Sequence, residues 1–204
     1  MRIQIDHFGL IARFYDKIFR LPEADPLRVL LDPQEGDLVL DVGGGTGRRA
    51  AAFGDSGAQL VICDRSFAML EHARQKGLDA VQASADRLPF ASGSVSKAML
   101  IDSLHHFVAP DPRVAQPNAV AELVRVLSTK GKALIEEPDI RRLSGRLVFW
   151  MERALFMGSR FLTAEELAAV IVAAGAQAEL VASDGFSYRT LVTIPAAPAS
   201  DEGR

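Results

Sequence analysis

Short apolar runs alternate with stretches of helical periodicity along most of this 204-residue chain. Several of these runs are rich in β-branched residues and are apolar on both faces, a pattern typical of buried strands in a parallel sheet. They cover residues 38–42, 59–64, 80–83, 95–101 and 132–136. We therefore expect five strands over the first two thirds of the chain.

Two segments have the i, i+3, i+4, i+7 spacing of apolar side chains that predicts an amphipathic helix. Their stripes comprise Val120, Leu123, Val124 and Leu127 in the first segment and Leu167, Val170, Ile171 and Ala174 in the second. The second helix is expected to begin at Thr163, because Glu166 completes a capping box, and to end near Gly175.

Two closing runs, residues 178–182 and 188–194, alternate between apolar and polar side chains and predict two more strands. Asp184 and Gly185 lie between them at the expected connection. The alternation of strands and helices predicts an α/β fold, an open sheet that has helices on both faces.

Composition supports one soluble globular domain, since 49% of the residues are hydrophobic, 24% are charged and the net charge is −3. This balance argues against a surface built throughout for nucleic acid. Cys63 is the single cysteine, so neither an internal disulfide nor a cysteine-rich zinc site is expected. Neither a signal peptide nor a membrane-spanning run is expected, and we predict a cytoplasmic domain over residues 1–194 with a flexible tail over 195–204.

A glycine-rich turn follows the first strand. Its glycines at 43, 45 and 47 have the spacing G-x-G-x-G and precede a helix-forming stretch. Such a turn lets the backbone come close to a ligand and directs helix amides towards it. The dinucleotide fingerprint requires a third glycine where Arg48 stands, and the Lys-Ser/Thr of a Walker loop is absent.

Two acidic residues extend this pattern towards an adenosine ligand. Asp64 ends the second strand, 21 residues past Gly43, where a carboxylate can accept hydrogen bonds from ribose hydroxyls. Asp86 follows the third strand and is suited to accept from an exocyclic amino group, while Pro89 and Phe90 are suited to form an apolar wall. NAD enzymes share the ribose contact, so Asp64 alone does not choose between cofactors.

With these motifs in order, the sequence resembles the class I S-adenosylmethionine-dependent methyltransferases. It is most similar to their small-molecule, type 11 branch, which includes the ubiquinone/menaquinone-biosynthesis enzymes. The resemblance covers roughly residues 8–137. Within this range, residues 122–127 and 130–132 match the family's helix and turn before strand five. It implies a Rossmann-like, doubly wound, mostly parallel seven-stranded sheet whose last strand is antiparallel.

The resemblance also implies the cofactor, S-adenosyl-L-methionine, and the residues that hold it. These are Asp41, Gly43, Gly44, Gly45, Gly47, Asp64, Arg65, Ala85, Asp86, Ile101 and Asp102. Residues 8–16 match the family's N-terminal segment, which folds over the cofactor. The segment 1–34 is therefore expected to be a lid, with Tyr15 as a candidate catalytic residue.

The end of the fourth strand is where a methyl acceptor is expected to lie. Residues 101–107 read Ile-Asp-Ser-Leu-His-His-Phe and lack the prolines of the amine-methylating relatives, so an amine of a flipped base is disfavoured. His105 is the candidate general base because imidazole titrates near neutral pH, with a merely structural histidine as the alternative. His106 is expected to start the next helix. No metal is expected, and the single cysteine excludes thiol-ligated arsenic chemistry.

The segment 138–162 is expected to be a helical insertion that covers the substrate. Apolar residues at helical spacing are Leu143, Leu147, Trp150, Met151 and Ala154, and more apolar side chains flank them. Residues 140–162 also carry five arginines and one glutamate. Three interpretations stay open: a lid helix packed on the core, an apolar pocket or membrane-facing surface whose arginines meet anionic groups, and a dimer face.

The leading hypothesis is methyl transfer to oxygen or carbon of a small, apolar or aromatic molecule by a monomer or homodimer that binds no nucleic acid. A non-catalytic subunit of the same fold is the first alternative. A nicotinamide-dependent oxidoreductase is the second, and Arg48 counts against it.

Overall fold

The computed structural model describes residues 26–154 and 158–195, and these form a seven-stranded sheet with helices on both faces. In chain order the elements are α1 (Pro26–Leu31), β1 (Leu38–Val42), α2 (Arg48–Ala51), β2 (Gln59–Asp64), α3 (Phe67–Gln75), β3 (Asp79–Gln82), β4 (Val95–Ile101), a 3-10 helix (Leu104–His106), α4 (Pro112–Val126), β5 (Leu127–Pro138), α5 (Leu143–Ala154), α6 (Ala164–Ala173), β6 (Gln177–Ser183) and β7 (Ser187–Thr193).

The strands lie in the order β3-β2-β1-β4-β5-β7-β6. Strands β1 to β5 pair in parallel, whereas β7 is antiparallel to both β5 and β6. The connections reverse direction beside β1, whose neighbours are β2 and β4. A ligand in an open α/β sheet binds at this switch point, outside the carboxyl ends of the strands. The predicted fold class is confirmed.

Alternate side chains along the strands pack into two hydrophobic layers, one on each face of the sheet. This is why the strand sequences are apolar on both faces. On β1, Leu40 and Val42 pack in one layer, and Val39 packs in the other. The first layer includes residues from α4 and α6, and the second includes residues from α1, α2 and α3. The predicted capping box of α6 is present, formed by Thr163 and Glu166.

Two local predictions are wrong. His106 does not start a helix: it ends the 3-10 helix, and α4 begins at Pro112, behind the N-cap Asp111. Residues 130–132 are not a turn before strand five, because β5 already begins at Leu127. The pairing of β4 with β5 is irregular at this point. Leu127 pairs with Val95 and Lys132 pairs with Lys97, and a register shift separates the two pairs.

Helix α5 presents its apolar stripe outwards on the described residues, which counts against the first of the three interpretations, a lid helix packed on the core. Leu143 is 84% exposed and Leu147 is 71% exposed. The inward face instead carries Gly145 and Glu152. Gly145 is required there because a Cβ would lie 2.2 Å from the Asp139 carbonyl oxygen.

Residues 1–25, 155–157 and 196–204 lie outside the described parts. The expectations for Tyr15, for most of the 1–34 lid and for the tail fall there, so they stay predictions, as does the single-domain boundary. Within the described residues, no helix has the length and apolar character needed to cross a membrane.

Candidate active site

The loop between β1 and α2 has a backbone conformation that glycine adopts most easily. Gly43, Gly45 and Gly47 have φ angles of 71°, 56° and 68°, in the left-handed region that disfavours residues with a Cβ. A Cβ on Gly43 would lie 2.7 Å from Ser103 Oγ, and a Cβ on Gly47 would lie 2.5 Å from Leu78 Cδ1. The loop therefore brings bare backbone to the switch point of the sheet.

Asp64 lies beside this loop at the carboxyl end of β2. Its Oδ2 accepts a hydrogen bond from the Gly45 amide at 2.9 Å, and its Oδ1 accepts one from the Ser66 amide at 2.8 Å. Each carboxylate oxygen can accept a further hydrogen bond. The side chain is thus held in place by backbone amides beside the glycine loop.

Asp41 lies beneath the same loop at the end of β1. It is 2% exposed, and its Oδ2 has no hydrogen-bond partner within the described structure. Burial, followed by the nearby Asp64 charge, raises the pKa of Asp41 to about 7, although Arg49 and Arg48 oppose the shift. Such a carboxyl group is suited to a cationic ligand group, which would both complete its hydrogen bonding and stabilise its charge.

The other predicted cofactor residues follow the carboxyl ends of neighbouring strands. Arg65 comes directly after β2, and its carbonyl oxygen accepts a hydrogen bond from Gln82 Nε2 at 2.8 Å. In the loop after β3, Ala85 is buried and Asp86 is exposed. Ile101 ends β4 and is 8% exposed. The topology therefore places these residues along the edge of the sheet that carries the glycine loop.

Asp102 follows β4 in a strained backbone conformation, with a φ angle of 50°. Burial, then the charges of Glu136 and Glu137, raise the pKa of Asp102 to about 7. Arg49 opposes this shift, since its Nη2 lies 3.8 Å from Asp102 Oδ2 and 3.2 Å from Glu136 Oε1. Arg189 also binds Glu136, so β4, β5 and β7 are linked by charges at this edge.

His105 lies between two carboxylates. Its Nδ1 is 2.6 Å from Glu137 Oε2, and its Nε2 is 3.3 Å from Glu152 Oε1. Burial opposes protonation, but Glu137 and Glu152 outweigh it and raise the pKa of His105 to about 10. In this arrangement the ring holds a proton rather than accepting one, so a role as general base requires Glu152 to move away from Nε2.

His106 also lies close to Glu152, the second of these two carboxylates. Its Nδ1 lies 3.2 Å from Ser159 Oγ, and its Nε2 lies 3.8 Å from Glu152 Oε1. Burial, and then the neighbouring His105, lower the pKa of His106 to about 3. Glu152 is 7% exposed, and its Oε2 finds no hydrogen-bond partner in the part of the chain that the structure describes.

A cavity of about 380 Å³ borders this cluster. It is lined by Phe149, Arg153, Gly158 and Ser159, so it offers an aromatic surface, a cation and the hydroxyl that contacts His106. Phe161 stacks on His105 with ring centres 4.5 Å apart and contacts Phe149 edge-on. The insertion therefore reaches the end of β4 with aromatic and charged side chains.

Sequence reasoning missed Glu137 and Glu152 as site residues. Glu137 fixes the 3-10 helix, because its Oε1 accepts a hydrogen bond from the Leu104 amide at 2.9 Å while its Oε2 meets His105. A signal was present in both cases. Glu136 and Glu137 are two adjacent acids in an apolar strand, and Glu152 is the single acid among five arginines over residues 140–162.

Comparison with known proteins gives a direct match to a family. A family model described as a methyltransferase domain matches residues 40–135. Over 109 residues the chain is 31% identical to the demethylmenaquinone methyltransferase of Paenarthrobacter aurescens, an alignment that covers 52% of this chain and 41% of that protein. Over 101 residues it is 35% identical to the tRNA (carboxymethyluridine(34)-5-O)-methyltransferase alkbh8 of Xenopus tropicalis, covering 50% of this chain and 15% of that protein. The alignments thus span less than half the length of either relative.

Solved structures share the fold at low sequence identity. A chain from the complex of the Haloferax volcanii Trm112 methyltransferase activator with its methyltransferase partner has a TM-score of 0.76 and 19% identity, with 95% of this chain and 100% of that chain covered. An S-adenosylmethionine-dependent methyltransferase from Aquifex aeolicus has a TM-score of 0.71 and 18% identity, with 94% and 100% covered.

The fold is therefore the Rossmann-like fold that these solved structures share. More narrowly, the chain matches the methyltransferase domain of the type 11, S-adenosylmethionine-dependent branch over residues 40–135, just under half of its length. Its cofactor is S-adenosylmethionine. The buried, unpartnered Asp41 Oδ2 beside the glycine loop fits the cationic methionine end of that molecule.

Proposed function

We propose that this protein transfers a methyl group from S-adenosylmethionine to oxygen or carbon of a small, apolar or aromatic acceptor. The observation that carries the proposal is the contact between the glycine loop and the residues after β4. A Cβ on Gly43 would lie 2.7 Å from Ser103 Oγ and 3.3 Å from a ring carbon of Phe107. The segment that holds His105 and His106 therefore adjoins the cofactor loop.

On the cofactor side, we assign the methionine part to the glycine loop and Asp41, the ribose to Asp64 and the adenine amino group to Asp86. The cofactor supplies an activated methyl group when bound, so the residues mainly have to align it with an acceptor. Support comes from Asp64, whose two oxygens are already positioned by backbone amides. Tyr15 is proposed as part of a covering segment.

On the acceptor side, the cavity lined by Phe149 and Arg153 favours a flat, apolar molecule that carries an anionic group. Arginine recognises carboxylate through paired hydrogen bonds, and an aromatic wall adds apolar contact. His105 is the group we assign to proton transfer, after withdrawal of Glu152 from its Nε2. An acceptor in this cavity would lie beside Ser159, whose hydroxyl contacts His106, the neighbour of His105.

The first test is calorimetry with S-adenosylhomocysteine and, separately, NADH. We expect heat from S-adenosylhomocysteine only, and heat from NADH alone would overturn the proposal. The second test is transfer of a labelled methyl group to a panel of phenols, quinones and fatty acids, each with and without a carboxylate. Cofactor binding without transfer to any of them would instead favour the non-catalytic subunit.

A transfer RNA included in that panel tests whether the chain acts on nucleic acid, as the name of its Xenopus relative indicates for that protein. We expect no label in the RNA.

Arg153→Ala should raise KM for carboxylated acceptors about tenfold, as expected for loss of one charge-assisted contact. Arg146→Ala, which changes an exposed arginine outside the cavity lining, is the matched control and should leave KM unchanged. We also propose a cytoplasmic location, to be checked by cell fractionation.

A further inference from the structure

The cluster of His105, His106 and Glu152 brings three potential metal ligands together from two parts of the fold. The histidines belong to the 3-10 helix after β4, and Glu152 belongs to α5. One ligand atom from each residue lies within 4.8 Å of the other two. The chain separation of the three residues explains why the sequence predicts no metal site.

The spacing of the ligand atoms suits a tetrahedral ion. Two ligands about 2.0–2.1 Å from a tetrahedral Zn²⁺ lie about 3.3–3.4 Å apart. In this structure Glu152 Oε1 is 3.3 Å from His105 Nε2 and 3.8 Å from His106 Nε2. The longer separation exceeds a normal hydrogen bond, and all three ligand atoms lie within 4.8 Å of one another.

Other groups already hold both imidazole rings by their opposite nitrogens. Glu137 Oε2 lies 2.6 Å from His105 Nδ1, and Ser159 Oγ lies 3.2 Å from His106 Nδ1. Both Nε2 atoms are left directed at Glu152. Metal-binding histidines show this pattern, in which the nitrogen away from the metal is hydrogen-bonded and the ring orientation is fixed.

Glu152 supplies a separate observation. The side chain is more than nine-tenths buried, and its Oε2 lacks a hydrogen-bond partner among the described residues. An unpartnered carboxylate oxygen in such a place is costly unless a cation neutralises it. Ser159 also hydrogen-bonds to this carboxylate, yet the hydrogen bonds of the described residues leave Oε2 without a partner. An ion between the three side chains would engage the carboxylate.

We infer that His105, His106 and Glu152 form a site for one divalent transition ion of the Zn²⁺ class. Two imidazoles and one carboxylate favour Zn²⁺ or Co²⁺ over Mg²⁺ or Ca²⁺, which prefer oxygen ligands. Three protein ligands leave a fourth position for water or another oxygen. The neighbouring cavity offers a route to that position, because Ser159 both lines the cavity and contacts His106. With an ion bound, His105 Nε2 is a ligand, so an acceptor oxygen on the ion would replace the proton transfer assigned to His105 in the proposed function. That step would rest on the proposed function, whereas the metal site itself does not.

The test uses the full chain after chelation and dialysis, titrated with Zn²⁺ alone in the calorimeter and with Co²⁺ alone in the visible range. We expect one equivalent of Zn²⁺ to bind, and Co²⁺ to give the intense visible bands of a low-coordinate nitrogen and oxygen site. Glu152→Gln and His106→Asn should each weaken Zn²⁺ binding at least a hundredfold. Glu137→Gln, which acts through His105, should weaken it about 10–100-fold.

Glu71→Gln and His72→Ala change the same residue types on α3, away from the cluster, and should leave Zn²⁺ affinity unchanged. Circular dichroism melting checks that each variant folds, and the wild-type Co²⁺ spectrum does not depend on any variant. Absence of Zn²⁺ binding, a six-coordinate Co²⁺ spectrum, or equal affinities of wild type and Glu152→Gln would each overturn the inference. None of these readouts requires methyl transfer, so failure of the proposed function would be seen separately.

Discussion

The cofactor side of this site and the side that we propose for the acceptor meet after β1 and β4 but are built differently. The cofactor side is a loop of consecutive residues in which backbone conformation does the work, with three glycines at positive φ. The acceptor side is made of side chains from β5, α5 and the 3-10 helix, held by buried charges. A substitution should therefore damage the first through local strain and the second through loss of distant partners.

The largest effect is expected from Glu137→Gln on the acceptor side. The carboxylate is 1% exposed and binds both His105 Nδ1 and the Leu104 amide. Removing one partner of a buried charged pair costs about 3–5 kcal/mol of unfolding free energy. Chemical denaturation measures this loss, and Glu179→Gln on the exposed surface of β6 is the control. A loss below about 1 kcal/mol, the range of an exposed pair, would mean that the acceptor side is not held by this charge.

Gly43→Ala should have the next largest effect, and this effect should fall on cofactor binding. Its Cβ would clash with Ser103 at a φ of 71°, so we expect S-adenosylhomocysteine affinity to fall by about a hundredfold, in line with combined strain and displacement. Gly77→Ala is a matched control, because Gly77 has a φ of 78° with nothing within 4 Å of its added Cβ. Equal losses in both variants would contradict a local effect at the loop.

Asp64→Ala should weaken S-adenosylhomocysteine binding by about 1.5–3 kcal/mol, because charge-assisted hydrogen bonds to the ribose would be lost. Isothermal titration calorimetry measures the change. Asp79→Ala at the start of β3 is the control, since that carboxylate contacts the Gln59 side chain on the exposed surface. An unchanged affinity in Asp64→Ala would remove its assignment to the ribose.

The smallest expected effect is the pH dependence of stability that the Asp41 carboxyl group produces. Its pKa in the folded protein is about 7 against an ordinary value of 3.8, so between these values the folded state binds more protons than the unfolded state. Stability without cofactor should therefore decrease as pH rises from about 5 to 7, by about 2 kcal/mol from this group. Asp41→Asn should flatten that part of the curve, as measured by urea unfolding at several pH values. Asp102 contributes in the same direction, since its pKa is also about 7.

The glycine loop was predictable because its signal is contiguous. Gly43, Gly45 and Gly47 occupy positions where backbone conformation alone excludes most other residues, and Asp64 follows at the end of the next strand. Strand positions were also predictable, because both faces of the sheet are covered and the strands are continuous apolar runs. The helix start at Thr163 followed from a capping box that needs only neighbouring residues.

The outward apolar stripe of α5 was not predictable in the same way. Periodicity shows that Leu143 and Leu147 share a face but does not show which way the face points. The close approach of Gly145 to the Asp139 carbonyl and the burial of Glu152 turn the helix so that this face is exposed. A polar residue thus faces inwards because it has partners there.

The sequence by itself determined the open α/β sheet and the cofactor loop of this chain, because both depend on short-range patterns of backbone preference and burial. Only the tertiary structure decided the acceptor side. His105, Glu137 and Glu152 come from three separate elements. Their charges acquire their effect only where folding removes them from water and places Glu137 2.6 Å and Glu152 3.3 Å from the His105 ring nitrogens.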